Sequence, residues 1–313
     1  MTKPPPPEPE RGRPETGHAG SDTLQLRTVV AALEDLYPPA SAADWDRVGL
    51  VTGDLDQPVR RVLFALDPTL SVIEEASAWG ADLLVTHHPL LLRGVHSVAT
   101  TTAKGEAVTA LVVADTALYV AHTNADVAEP GVSTVLAEAL GLTDLRPLDP
   151  EEPYAVGRVG LVPAPTTLVE FAEHVARVLP PTACGIRVSG DPGGPVRTVA
   201  VLGGSGDDRF DQVRASGADV YVTADLRHHP ALEAREEARG GTPYLIDAGH
   251  WATESLWLEH VRGRLLTELG EDPDAPTRVE TRVSTIRTEP WTFVAGANLA
   301  RPHLSAPDHG GAS

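Results

Sequence analysis

The stretch VRRVLFALDPTLSVIEEASAWGADLLVT, residues 59–86, returns 137 positions later as VRTVAVLGGSGDDRFDQVRASGADVYVT, residues 196–223, without a gap. Nine of the 28 paired positions are identical, including Gly80-Ala81-Asp82 against Gly217-Ala218-Asp219 and Val85-Thr86 against Val222-Thr223. Each copy reads as an apolar run, an amphipathic segment and a second apolar run: strand, helix, strand. A repeat that keeps this order predicts an α/β fold made of two similar halves. With a small register change the third strands also correspond, Leu118-Tyr119-Val120 to Pro243-Tyr244-Leu245.

Working outward, Leu26, Val29, Val30, Leu33 and Leu36 have helical spacing before Pro38 and Pro39 stop the helix. Strands are expected at Arg61–Asp67, Asp82–Thr86 and Ala117–Ala121, with helices at Leu70–Trp79, Glu106–Ala114 and Gly131–Leu140. Residues 144–165 hold seven prolines or glycines and read as a linker with one strand near Val156–Leu161. Thr167 and Glu170 form a capping-box pattern ahead of a helix that buries Leu168, Phe171, Val175 and Leu179. The expected organisation is a disordered tail at 1–22, a first half at 23–145, a second at 146–294, and a flexible tail at 295–313.

The formal net charge of −19 disfavours nucleic-acid binding, because an acidic surface repels a phosphate backbone. No signal-peptide pattern or membrane-length apolar run occurs, and the single cysteine, Cys184, fits a reducing compartment; the expected location is cytoplasmic. Cys184 reads as a small buried hydrophobe.

Ligands of open α/β sheets gather beyond the carboxyl ends of the strands. At those ends stand His87-His88-Pro89, then His122 and Asp126, then Asp247, His250 and Glu254. One strand-end histidine usually packs or hydrogen-bonds, but five candidate ligands among these residues, at three strand ends, point jointly to metal. His87 and His88, turned by the strand end, can reach two separate ions. His250 and Glu254, four apart, share one face at the start of the helix carrying Leu258, Val261, Leu265 and Leu269. Asp126 is placed to bridge two cations. The expected ligands are therefore His87, His88, Asp126, His250 and Glu254, holding two divalent ions of Zn, Mn, Fe or Co. His122 is expected beside them as a proton acceptor, and Asp67 and Asp247 as groups that orient imidazoles or a water. His228-His229 are at best substrate contacts; His96, His174 and His260 receive no role. Gly203-Gly204-Ser205-Gly206 reads either as a backbone nest for an anion or as a tight, closely packed turn.

Asp44-Trp45-Asp46-Arg47-Val48-Gly49-Leu50, Thr86-His87-His88-Pro89-Leu90, Ala121-His122-Thr123-Asn124-Ala125-Asp126 and Asp247-Ala248-Gly249-His250-Trp251-Ala252-Thr253-Glu254, with the glycine run, resemble one family. It is the GTP cyclohydrolase 1 type 2 homologs, NIF-three-like proteins with a dinuclear metal centre, and the likeness runs from about residue 24 to 294. Arg47 departs from the pattern, where an asparagine is expected. The resemblance implies the same five ligands and a toroidal homohexamer whose sites face a central cavity. The family name implies opening of the GTP purine ring. Two functions compete: a metal-dependent hydrolase of a nucleotide or related small molecule, and a non-catalytic metal-binding scaffold.

Overall fold

The computed structural model describes residues 23–296 except 275. The tails expected at 1–22 and 295–313 lie outside these residues, apart from 295 and 296. Two sheets carry the fold. The first has β2 (Gly49–Thr52), β4 (Arg61–Ala65), β5 (Leu83–Thr86), β6 (Ala117–Val120) and β13 (Glu280–Val283) in the order β13-β4-β5-β6-β2. The second has β7 (Thr143–Pro147), β8 (Arg158–Thr167), β9 (Arg187–Ser189), β10 (Pro195–Ser205), β11 (Val220–Ala224) and β12 (Tyr244–Asp247) in the order β7-β8-β10-β11-β12-β9. A short ribbon pairs β1 (Leu24–Gln25) with β3 (Pro58–Val59). Within the sheets β4-β5-β6 and β10-β11-β12 run parallel.

The two parallel triplets share a local design. Val62 stands opposite Leu83, and Val199, 137 positions on, stands opposite Val220. Asp82 Oδ2 accepts from the backbone N–H groups of Arg60 and Arg61 at 2.7 and 2.9 Å; Asp219 Oδ2 does the same for Arg197 and Thr198 at 2.9 and 2.8 Å. Gly80 and Gly217, both at φ 73°, end the preceding helices in the left-handed conformation that favours glycine. The repeated Gly-Ala-Asp thus has a physical job: stop the helix, then pin the start of the neighbouring strand. The third strands differ from expectation by two residues, since Ala117 and not Tyr119 occupies the place of Tyr244. A two-residue slip keeps every side chain on its original face, so hydrophobic patterning does not register it.

The stretch read as a linker is largely sheet. Thr143–Pro147 pairs antiparallel with Arg158–Thr167, which pairs with β10. Pro163 and Pro165 are accommodated because the β8–β10 register shifts between Val196 and Thr198, leaving residues there outside the regular ladder. The helix expected to continue from His250 is two pieces, His250–Glu254 and Trp257–Glu268. At the junction Leu258 N–H donates to Ser255 O, three residues back, which tightens the turn. Glu254 faces the strand ends, and Trp257 enters the first core, packed with Leu26, Val29, Leu33, Val261 and Leu265. Removing so large a buried ring costs about 3–5 kcal/mol. No helix among the described residues is long and apolar enough to cross a membrane.

Candidate metal centre

The carboxyl ends of both parallel triplets converge. After β4 comes Asp67, after β5 His87 and His88, after β6 His122, after β11 Asp225, and after β12 His250. Four imidazoles meet there, and each is anchored through Nδ1. His87 Nδ1 donates to Ala121 O at 2.9 Å, His88 to Asp67 Oδ1 at 2.7 Å, His122 to Asp46 Oδ1 at 3.0 Å, and His250 to Asp225 Oδ2 at 2.7 Å. Since each partner is an acceptor, each Nδ1 keeps its proton and each Nε2 is left as the inward atom.

The inward atoms sit at ligand spacing. His88 Nε2 is 3.3 Å from His250 Nε2 and 3.1 Å from Glu254 Oε2; His250 Nε2 is 3.1 Å from Glu254 Oε1. His87 Nε2 lies 3.6 Å from Asp126 Oδ1 and 3.8 Å from Glu254 Oε1. Two donors bound to one ion at about 2.1 Å stand roughly 3.0–3.5 Å apart, so these spacings fit a shared ion. Ligand-capable atoms fall into two overlapping groups, His87 with His88 and His122, and His88 with His250 and Glu254. His87 Nε2 is buried without a hydrogen-bond partner, and Glu254 Oε2, also buried, has His88 Nε2 at 3.1 Å as its nearest partner; a cation beside them would satisfy both atoms.

The protein's own groups at the cluster are trapped opposite charges. Burial opposes the charged form of His88, but Glu254 and Asp67 outweigh it and push its pKa up to about 10. His250, likewise opposed by burial, is carried to about 11 by Asp225 and Glu254. Glu254 is held well below the usual carboxylate range, the imidazoles overcoming its burial. Burial raises Asp126 despite the attraction of His87.

All five expected ligands and His122 therefore come together, with one redistribution. Asp126 approaches His87 alone, whereas Glu254 lies within 3.8 Å of His87 and 3.1 Å of both His88 and His250. Asp67 orients an imidazole as expected. Asp247 does not: its carboxylate accepts from Arg187 at 2.5 Å and from the backbone of Leu226 and Gly249. The imidazole partners that sequence reading missed are Asp225 and Asp46. Asp225 follows a parallel strand directly, so the strand-end rule was sufficient to find it; Asp46 lies 76 residues from His122, and no local pattern links them.

The glycine run resolves to close packing. Gly203 N–H donates to Ser133 Oγ and Gly204 N–H to Thr253 Oγ1, so neither faces an anion. A Cβ on Gly204 would stand 2.1 Å from Glu254 Oε1 and 3.2 Å from His250 Nε2, which is why β10 can pass the cluster only as glycine. Two cavities flank the cluster. One of about 970 Å³ reaches His88, His250, Asp67, Asp225, Trp251 and Cys184; one of about 670 Å³ reaches His122, Asp126, Glu254, His250, Trp45 and Tyr154. Cys184 is exposed at the first cavity, contrary to its buried reading, because it lies in the surface connection before β9. His228 and His229 open an exposed helix and line neither of these two cavities.

Fold and cluster together define a mixed α/β protein with a buried histidine–carboxylate cluster able to hold metal. A family model described as Duf34/NIF3 (NGG1p interacting factor 3) matches residues 24–290, and the chain belongs to that family. A Streptomyces coelicolor protein named GTP cyclohydrolase 1 type 2 homolog is 49% identical over 289 residues, 91% of this chain and 99% of the relative. A Mycobacterium tuberculosis protein of the same name is 32% identical over 380 aligned residues, 87% of this chain and 97% of the relative. The crystal structure of a Bacillus cereus protein related to NIF3 superposes with a TM-score of 0.79 at 26% identity, covering 88% of this chain and all of that one.

Proposed function

We propose that the chain binds two divalent ions and is a metal-dependent hydrolase of a nucleotide or related small molecule. His87, His88, Asp126, His250 and Glu254 are the residues that would hold them. The observation that carries this is the convergence of Nδ1-anchored imidazoles on the buried Glu254 carboxylate, with His87 Nε2 buried and unpartnered beside it. The donor set is imidazole and carboxylate without thiolate, which suits Zn²⁺, Mn²⁺, Fe²⁺ or Co²⁺. A pair of such ions supplies acidification of water and a clamp on substrate oxygens.

The chain's own residues supply the rest. His122 stands at the wall of the smaller cavity, its ring 5.2 Å from that of His87, and takes a proton from the attacking water. Asp67 and Asp225 keep His88 and His250 in the tautomer that presents Nε2. The names of the relatives support a purine nucleotide as the first substrate to try. A homohexamer and a cytoplasmic setting complete the reading.

The test is metal analysis beside turnover on a panel of nucleotides. His122→Ala is expected to keep both ions and lose roughly 10²–10⁴-fold in kcat. A protein with two ions and no turnover on the whole panel would instead be the non-catalytic scaffold. Loss of metal in His122→Ala would make that residue a ligand.

A further inference from the structure

Asp46 is the one carboxylate at the site with no exposed side-chain surface and no place in the ligand set. All four of its acceptor positions are used. Oδ1 accepts from Arg47 N–H at 2.7 Å and from His122 Nδ1 at 3.0 Å; Oδ2 accepts from Thr123 N–H at 3.0 Å and Thr123 Oγ1 at 2.5 Å. Thr123 Oγ1 in turn accepts from Ala43 N–H at 2.9 Å, so the 43–47 loop is tied to the end of β6 at several points. A buried carboxylate with four donors stays ionised and does not rotate.

We propose that Asp46 is the positioning residue for His122, holding it as the Nδ1–H tautomer with the Nε2 lone pair turned toward the metal centre from the smaller cavity. His122 belongs to the ligand-spaced group with His87 and His88, and its ring lies edge-on to Trp45 at 5.9 Å, so the same loop also walls that cavity. The consequence is directional. The proton acceptor works from the 670 Å³ cavity, whereas His88, oriented by Asp67, opens onto the 970 Å³ cavity. The chemical part of this inference rests on the hydrolase reading; the tautomer does not.

Asp46→Asn separates the roles. An amide offers one acceptor atom; turned with its oxygen to the two Thr123 donors, it leaves Arg47 N–H without an acceptor and presents NH₂ to His122 Nδ1. That nitrogen must then accept, and the proton moves to Nε2. The same exchange at a buried triad aspartate lowers kcat about 10⁴-fold through the wrong tautomer.

The experiment is ¹⁵N solid-state spectroscopy of histidine-labelled, metal-free protein, with the His122 signals assigned by their loss in His122→Gln. Wild type is expected to show Nδ1–H, and Asp46→Asn to show Nε2–H. Metal-loaded Asp46→Asn is expected to retain both ions, to lose 10²–10⁴-fold in kcat with KM little changed, and to lose nothing more when His122→Ala is added. An Nε2–H tautomer in wild type overturns the proposal even where Asp46→Asn fails to fold. So does an unchanged tautomer in a folded Asp46→Asn, or loss of ions from Asp46→Asn while His122→Ala keeps them. Failure of every substrate would remove the hydrolase reading and leave the tautomer result standing.

Discussion

Metal uptake by this chain is expected to expel two protons at neutral pH. His88 and His250 have pKa values near 10 and 11 in the metal-free protein, so both are imidazolium at about pH 7.5. Their Nδ1 protons are fixed on Asp67 and Asp225, and a ligand needs its Nε2 lone pair, so the Nε2 protons are the ones to leave. The sign follows directly: a raised histidine pKa makes protons compete with metal at every pH below it. Each proton costs metal binding about 1.4 kcal/mol for every unit the pH falls, so lowering the pH by one unit weakens double occupancy ~10²-fold. The dependence flattens only above pH 10–11, where both rings lose the second proton without metal. The assay is calorimetric titration of metal-free protein with Mn²⁺ or Zn²⁺ in buffers of different ionisation enthalpy. A released-proton count near zero between about pH 6 and 8 would refute the charge-trapped apo site.

The remaining expectations concern ligands, backbone and assembly. Because Glu254 touches three imidazoles, Glu254→Ala is expected to lose both ions and His250→Ala to lose one; elemental analysis giving wild-type content for either would end that ligand's role. Gly204→Ala places a Cβ 2.1 Å from Glu254 Oε1 at a φ of +72°, so it should cost about 1–3 kcal/mol in thermal unfolding and lower metal content; unchanged melting and occupancy would contradict the packing account. Light scattering at micromolar concentration is expected to give a closed homo-oligomer, most simply the hexamer of the family resemblance, and a monomer would refute it.

What was legible in the sequence follows from what kind of contact each feature needs. His87, His88, His122 and His250 were visible because each follows a parallel strand, and strand ends are where open sheets place ligands. The Gly-Ala-Asp repeat was visible because its job, stopping a helix and pinning a strand start, is done within about twenty residues. Register in the third strands was not, since a two-residue slip leaves the inward and outward faces unchanged. Nor was the division of labour among the carboxylates. Glu254 reaches His87, His88 and His250 from the short helix His250–Glu254, and nothing in the apolar periodicity of the following helix marks that reach. Asp46 is the sharpest case. Its worth lies in four donors drawn from its own loop and from Thr123 and His122, which β6 and the 43–47 loop bring together only once the first sheet has formed. Ligands can be read from where strands end, but the groups that aim them must be read from the folded chain.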